Sequence, residues 1–160
     1  MKNILIAAFI LIIFAINALS EEDRSKWTEI SGKYSWELWK YESGWQEIKS
    51  DYDFDAEFIE EIKTHENIKF ILFTAAWCSD SRVGTPKIIK LLGMTGHYPS
   101  KFTMYGLDRE KSEPAGNNYI YNIERVPTLI ILREGKEISR IVEYPEESWE
   151  QDIAKIIRGK

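Results

Sequence analysis

The sequence predicts an α/β domain: a central mixed sheet of four to five strands flanked by helices. Three observations carry this reading. The run Phe70 to Thr74 is short, apolar and strand-prone, with a lysine before it and small residues after it, as in a buried central strand. From Ser79 the period becomes helical, with Val83, Ile88, Ile89, Leu91 and Leu92 offered for one face. Further on, Thr128 to Leu132 and Ile138 to Val142 read as strands joined by the turn Glu134-Gly135-Lys136.

The chain has 160 residues, enough for one domain with a proper core plus an appendage. Its formal charge is -5. Without residues 1 to 20, whose only charged side chain is Lys2, 20 basic residues face 26 acidic ones. That balance argues against a nucleic-acid surface, which needs a basic stripe.

Residues 1 to 20 form a separate object. Lys2 supplies a positive start, Ile4 to Ala18 is apolar apart from Asn17, and Ala18-Leu19-Ser20 offers a cleavage site before Glu21. We read a cleaved signal peptide and an exported protein, periplasmic or secreted. The rival is an uncleaved anchor, which would be the only tie to a membrane. The domain division is then 1–20 as signal, 21–53 as a Trp-rich extension contributing to the domain, and 54–160 as the main fold.

The extension carries Trp27, Tyr34, Trp36, Trp39, Tyr41 and Trp45. Trp36, Trp39 and Ile48 allow a helix, while Tyr34, Trp36 and Leu38 allow a strand. We expect it to supply the first strand and bury its tryptophans, the alternative being an exposed aromatic surface for a partner or sugar. Asp51, Asp53 and Asp55 invite comparison with a calcium loop, but its sixth position would be Ala56 and its twelfth Ile62. Asp55 is better explained as the cap of a helix from Ala56 to Thr64, with Phe58, Ile59 and Ile62 inward.

Gly93, Gly96 and Pro99 then mark a loop, and Phe102 to Leu107 reads as the next strand. Asp108, Arg109 and Glu110 follow at a strand end, where they lie either near a ligand crevice or, as we favour, as solvated loop charges. His65 and His97 have no partners at ligand spacing, so no metal site is expected. Glu113 to Asn122 is at best a weak helix, given Pro114 and Gly116. Pro145 suits the first position of the last helix, whose stripe is Trp149, Ile153, Ile156 and Ile157 and whose end is Gly159.

The sequence holds one cysteine, Cys78, at the corner where the central strand gives way to a helix. Unpaired amides and the helix dipole stabilise an anion there. The thiolate is the nucleophile, so Cys78 is expected to react faster than an ordinary cysteine, with Asp80 opposing this and Arg82 offsetting it.

These residues resemble the thioredoxin family. The resemblance rests on Trp77-Cys78-x-x between a strand and a helix, on Pro86 inside that helix, and on Val126-Pro127 before the strand Thr128 to Leu132. It covers roughly residues 54 to 158 and implies a thioredoxin fold with a cis-proline at Pro127. Two departures stand out: Cys78-Ser79-Asp80-Ser81 replaces Cys-x-x-Cys, and Leu72 stands where thioredoxins commonly carry a buried aspartate. The Trp-Cys-x-Asp-Ser form looks like a divergent bacterial branch.

Exchange of a disulfide needs an attacking thiolate and then a second thiol. Cys78 can make the first step, and Ser81, in the resolving position, can donate a hydrogen bond to the thiolate but cannot break an adduct. The expected mechanism is monothiol, on protein substrates with cysteines or disulfides or on glutathione mixed disulfides. No bound cofactor is expected beyond glutathione or another external thiol. Trp77 would wall the site, the exposed backbone of Val126 beside Pro127 would pair with an extended peptide, and Asp80 and Arg82 would tune the thiolate or read a partner's charge. Two rivals remain: a redox-inactive peptide-binding module, and a peroxide sensor or scavenger working through sulfenic acid.

Overall fold

The computed structural model describes residues 30 to 159. The expected signal segment and Trp27 lie outside the described residues. Five strands, β1 (Gly32–Tyr34), β2 (Ile68–Thr74), β3 (Phe102–Gly106), β4 (Thr128–Arg133) and β5 (Lys136–Val142), form one mixed sheet in the order β1-β3-β2-β4-β5. Only β2 and β3 pair in parallel; the other neighbours are antiparallel. Among the described residues five helices accompany the sheet: α1 (Trp36–Ser43), α2 (Ala56–Lys63), α3 (Ser79–Met94), α4 (Asn117–Ile120) and α5 (Trp149–Arg158). This is a thioredoxin fold.

Strand alternation divides the interior into two cores. Phe70 and Leu72 of β2 join Leu129 and Ile131 of β4, together with the apolar stripes of α2, α3 and α5. Ile71 and Phe73 point the other way, with Ile130, Leu132, Leu107, Ile123 and Val126. Both faces of the central strands are therefore covered, which is why β2 and β4 read as nearly continuous apolar runs.

Caps set the helix ends. Asp55 accepts from the Glu57 amide at 2.9 Å and starts α2. Pro145 does not open α5: Ser148 is the cap, its Oγ accepting from the Gln151 amide at 3.3 Å. A serine hydroxyl satisfies an amide that a proline leaves open, and the Asp152 carboxylate binds the Glu146 and Glu147 amides ahead of it. Gly93 likewise lies inside α3, which runs on to Met94.

Val83 departs from its expected place on the core face of α3 and is 61 % exposed. At about 100° per residue it lies about 140° from Ile88, on the far side of the stripe formed by Ile88, Ile89, Leu91 and Leu92.

The Trp-rich extension is strand and helix in turn. After β1, Ser35 caps α1, and Trp36, Trp39 and Trp45 are buried in the larger core. Trp39 meets Trp45 edge to face at 5.6 Å. Gly106 makes this docking possible, because a Cβ there would run into the Trp39 ring and sit 3.2 Å from the Ile30 carbonyl oxygen. Gly106→Ala is expected to lower the unfolding free energy by about 1–3 kcal/mol, read as a lower urea midpoint.

His97 is a core residue, 1 % exposed, edge-on to Phe70 at 5.2 Å. Its ring nitrogens reach Thr95 Oγ1 at 3.1 Å and the His65 carbonyl at 3.2 Å. Burial pushes its pKa below the ordinary 6.5, against the opposing hydrogen bond to His65. The unfolded chain thus binds this proton more readily than the fold does. The stabilisation is fully present above about pH 6.5 and falls away as pH drops toward the folded-state value. His97→Gln is expected to flatten the fall in urea midpoint between about pH 7.5 and 5.

Candidate active site

Register brings four connections to one end of the sheet. Thr74 pairs with Gly106, Phe73 with Thr128, and Thr128 with Val142, so β2, β3 and β5 end level with the start of β4. The segments 75–78, 107–116, 123–127 and 143–148 meet there. Backbone bonds tie them: Leu107 donates to the Thr74 carbonyl at 2.8 Å, and Glu143 to the Pro127 carbonyl at 2.7 Å.

Cys78 is the N-cap residue of the 16-residue helix α3, in extended backbone with φ -92° and ψ 125°. Its carbonyl begins the helix by accepting from the Arg82 amide at 3.1 Å. No side chain caps this helix, whereas Asp55 and Ser148 cap α2 and α5. The first-turn amides of α3 are thus left to the sulfur and to whatever approaches it. The thiol is half-buried against the smaller core and donates to the Val126 carbonyl across 3.3 Å.

The Val126-Pro127 peptide is cis. Val126 itself is 4 % exposed and packs in the smaller core. The sequence reading gave it an exposed backbone; the structure instead buries the residue and commits its carbonyl to Cys78. Gly84 lets α3 come close here, since a Cβ at that position would lie 3.1 Å from Pro127 Cγ and 3.5 Å from Trp149 Cζ2.

Ser81 serves the corner and not the sulfur. It is fully buried, and its Oγ accepts from the Ala75 amide at 3.2 Å. Without that bond the Ala75 N–H would be an unpaired buried donor at the tightest point of the chain. Below it, Thr74 and Thr85 hydroxyls meet at 2.7 Å and join β2 to α3. Leu72 is fully buried in the larger core.

Trp77 forms one wall. Its indole Nε1 donates to the Leu107 carbonyl at 3.1 Å, and the Arg109 guanidinium lies 5.9 Å from its ring centroid. Arg109 and Glu110 are exposed, as expected of solvated loop charges, while Asp108 folds into its own turn, accepting from the Ser112 amide at 2.8 Å. Both features follow from their place directly after a strand at the crevice end of the sheet. Asp80 and Arg82 are exposed on α3. Asp80 opens with Val83, Gly84, Lys87 and the 143–149 segment onto a pocket of about 330 Å³.

Glu113 was missed altogether. Burial raises its pKa, but hydrogen bonds from the Ala115 amide and from the amide and side chain of Asn117 outweigh this and hold it below the ordinary carboxylate range. It organises the loop carrying α4, beside Tyr105. Among the described residues no cluster of His, Cys, Asp and Glu could hold a metal.

The thioredoxin family model matches residues 50–158. A thioredoxin from Staphylococcus epidermidis is 25% identical over 107 residues, 66% of this chain and 92% of that protein. The TPR repeat-containing thioredoxin TDX of Arabidopsis thaliana is 31% identical over 93 residues, 58% of this chain, and the match spans only 23% of that larger protein. A crystal structure of a Pseudomonas aeruginosa protein of unknown function shares the fold, with a TM-score of 0.50 and 14% identity over 67% of this chain and 75% of that one. With the family model matching well over half its length, the chain belongs to the thioredoxin family.

Proposed function

We propose that this protein is an exported monothiol member of its family, exchanging disulfides through Cys78 and relying on an external thiol for release. The observation that carries the reading is the placement of the one cysteine: at the uncapped start of α3, with Sγ 3.3 Å from the carbonyl beside the cis-proline. Family membership supports thiol–disulfide chemistry, and the apolar residues 4 to 18 behind Lys2 support export.

The chemistry follows from what the corner holds. The Cys78 thiolate attacks one sulfur of a substrate disulfide, forming a mixed disulfide while the other sulfur leaves as thiolate and takes a proton from solvent. Dithiol relatives would then close an internal disulfide. Here position 81 is serine, already bonded to the Ala75 amide, so a second thiol from solution must attack the adduct. That attack restores the Cys78 thiolate and carries the substrate sulfur away in a new disulfide.

The Val126 carbonyl and the smaller core, on which Trp77 also packs, cover part of the sulfur, which is half-buried. Asp80 and Arg82, exposed on α3, would tune the thiolate or read charge on a partner. The second reading, a peptide-binding module, draws on the pocket beside Asp80 and Val83, whose accessible lining is mostly apolar.

Two variants separate the readings. With a disulfide substrate and limiting external thiol, the wild type is expected to stall as a mixed disulfide that Cys78→Ser never forms. Ser81→Cys supplies a resolving thiol one helical turn on, and is expected to shorten the adduct's life at least tenfold and leave an internal disulfide detectable by mass. A wild-type chain that forms no adduct with any disulfide, while still binding peptide, would replace the exchange mechanism with the binding one.

A further inference from the structure

We propose that Arg109 makes Cys78 selective for disulfides carrying a carboxylate near the sulfur, with glutathione mixed disulfides as the substrate class. The inference rests on the thiol–disulfide reading above and names its substrate. It begins from how this chain uses its arginines. Arg125, Arg140 and Arg158 each close on a glutamate, Glu143, Glu137 and Glu61 respectively, and Arg133 donates to the Ile157 carbonyl. Arg109 instead lays its cation on the Trp77 ring. Among the described residues, no carboxylate lies within ion-pairing distance of it.

The loop that carries Arg109 is fixed on both sides. The Asp108 amide donates to the Ser112 carbonyl at 3.0 Å, and the Ser112 amide returns to the Asp108 carboxylate at 2.8 Å. That second bond turns the neighbouring acid away into the loop's own turn. Lys111 reaches across to the Glu124 carbonyl at 2.6 Å and ties the loop to the segment leading into Val126. The guanidinium is exposed, held over the residue next to the reactive cysteine, and among the described residues its planar N–H fork is committed to no carboxylate.

A guanidinium can meet a carboxylate in two-pronged geometry, and Arg109 is exposed beside the Trp77 ring where such a group can reach it. Glutathione suits it because the tripeptide carries two carboxylates against one ammonium, a net negative charge on flexible arms either side of its cysteine. In the reaction, the Cys78 thiolate attacks the glutathione sulfur of a protein mixed disulfide. A Cys78–glutathione bond forms and the protein thiolate leaves, protonated from solvent. A second glutathione thiolate then attacks the Cys78-bound sulfur, releasing oxidised glutathione and the Cys78 thiolate. One disulfide is consumed and one is made at each step.

The test uses the full chain in reduced form and follows the Cys78 adduct by intact mass. Three small disulfides serve as probes: oxidised glutathione (anionic), bis(2-hydroxyethyl) disulfide (neutral) and cystamine (cationic). The readout is the ratio of the glutathione rate to the neutral rate. The wild-type ratio is expected to exceed that of Arg109→Ala by about 1.5- to fivefold, the range an exposed charge pair supplies, and to fall with added salt. Arg109→Lys is expected to keep part of the preference, and Arg109→Glu to move it toward cystamine. An unchanged ratio in Arg109→Ala, or rates that fall equally for all three probes, would overturn the assignment of Arg109 while leaving the exchange reading standing. No adduct with any probe would overturn the exchange reading and this inference with it.

Discussion

The structure depends on one register: β2 against β4, with Phe73 opposite Thr128. This pairing sets the end of the central strand level with the residue after the cis-proline. The chain leaves β2 through Ala75 and Ala76, turns at Trp77, and starts α3 at Cys78, and that short path puts Sγ 3.3 Å from the Val126 carbonyl. A slip of one residue would turn Phe70 and Leu72 out of the larger core and carry the thiol away from its acceptor. The burial of both faces of β2 is therefore also what fixes the chemistry at its end.

Around that register the rest of the molecule acts as support. The Thr74–Thr85 and Ala75–Ser81 bonds hold α3 at its angle, and Gly84 lets it lie on Pro127. The extension fills the outer edge, with β1 pairing β3 and the Trp39 ring lying over Gly106. These contacts make the serine at position 81 intelligible. A family member that resolves its own adducts places a second thiol there; this chain places a hydroxyl, which ties the corner to α3 and, on the proposed mechanism, leaves resolution to another molecule.

Much of this was legible in the sequence because burial leaves periodic traces. The runs 70–74 and 128–132 and the stripe Trp149, Ile153, Ile157 are patterns that buried strands and a docked helix enforce. Asp55 could be read as a cap because its acceptor lies two residues from its donor. What failed was non-local or shared between templates. Pro145 satisfied a rule for helix starts, but Ser148 supplied a better hydrogen bond three residues on. The exposure of the Val126 backbone rested on the cis-proline that the family resemblance implies, while the second core that buries the residue draws on residues from 71 to 132. Ser81 and Arg109 were visible as candidates, yet their partners, Ala75 and Trp77, depend on how the corner and the β3–α4 loop pack in three dimensions.

The central claim is that Cys78 is a working nucleophile and not a buried structural thiol. The most direct measurement is a time course of the intact mass of the reduced full chain after adding a small disulfide at neutral pH, followed by a second addition of reduced glutathione. The account predicts one adduct per chain, formed faster on the native protein than on the same chain in denaturant and removed again by glutathione. An adduct that forms only after denaturation would contradict it.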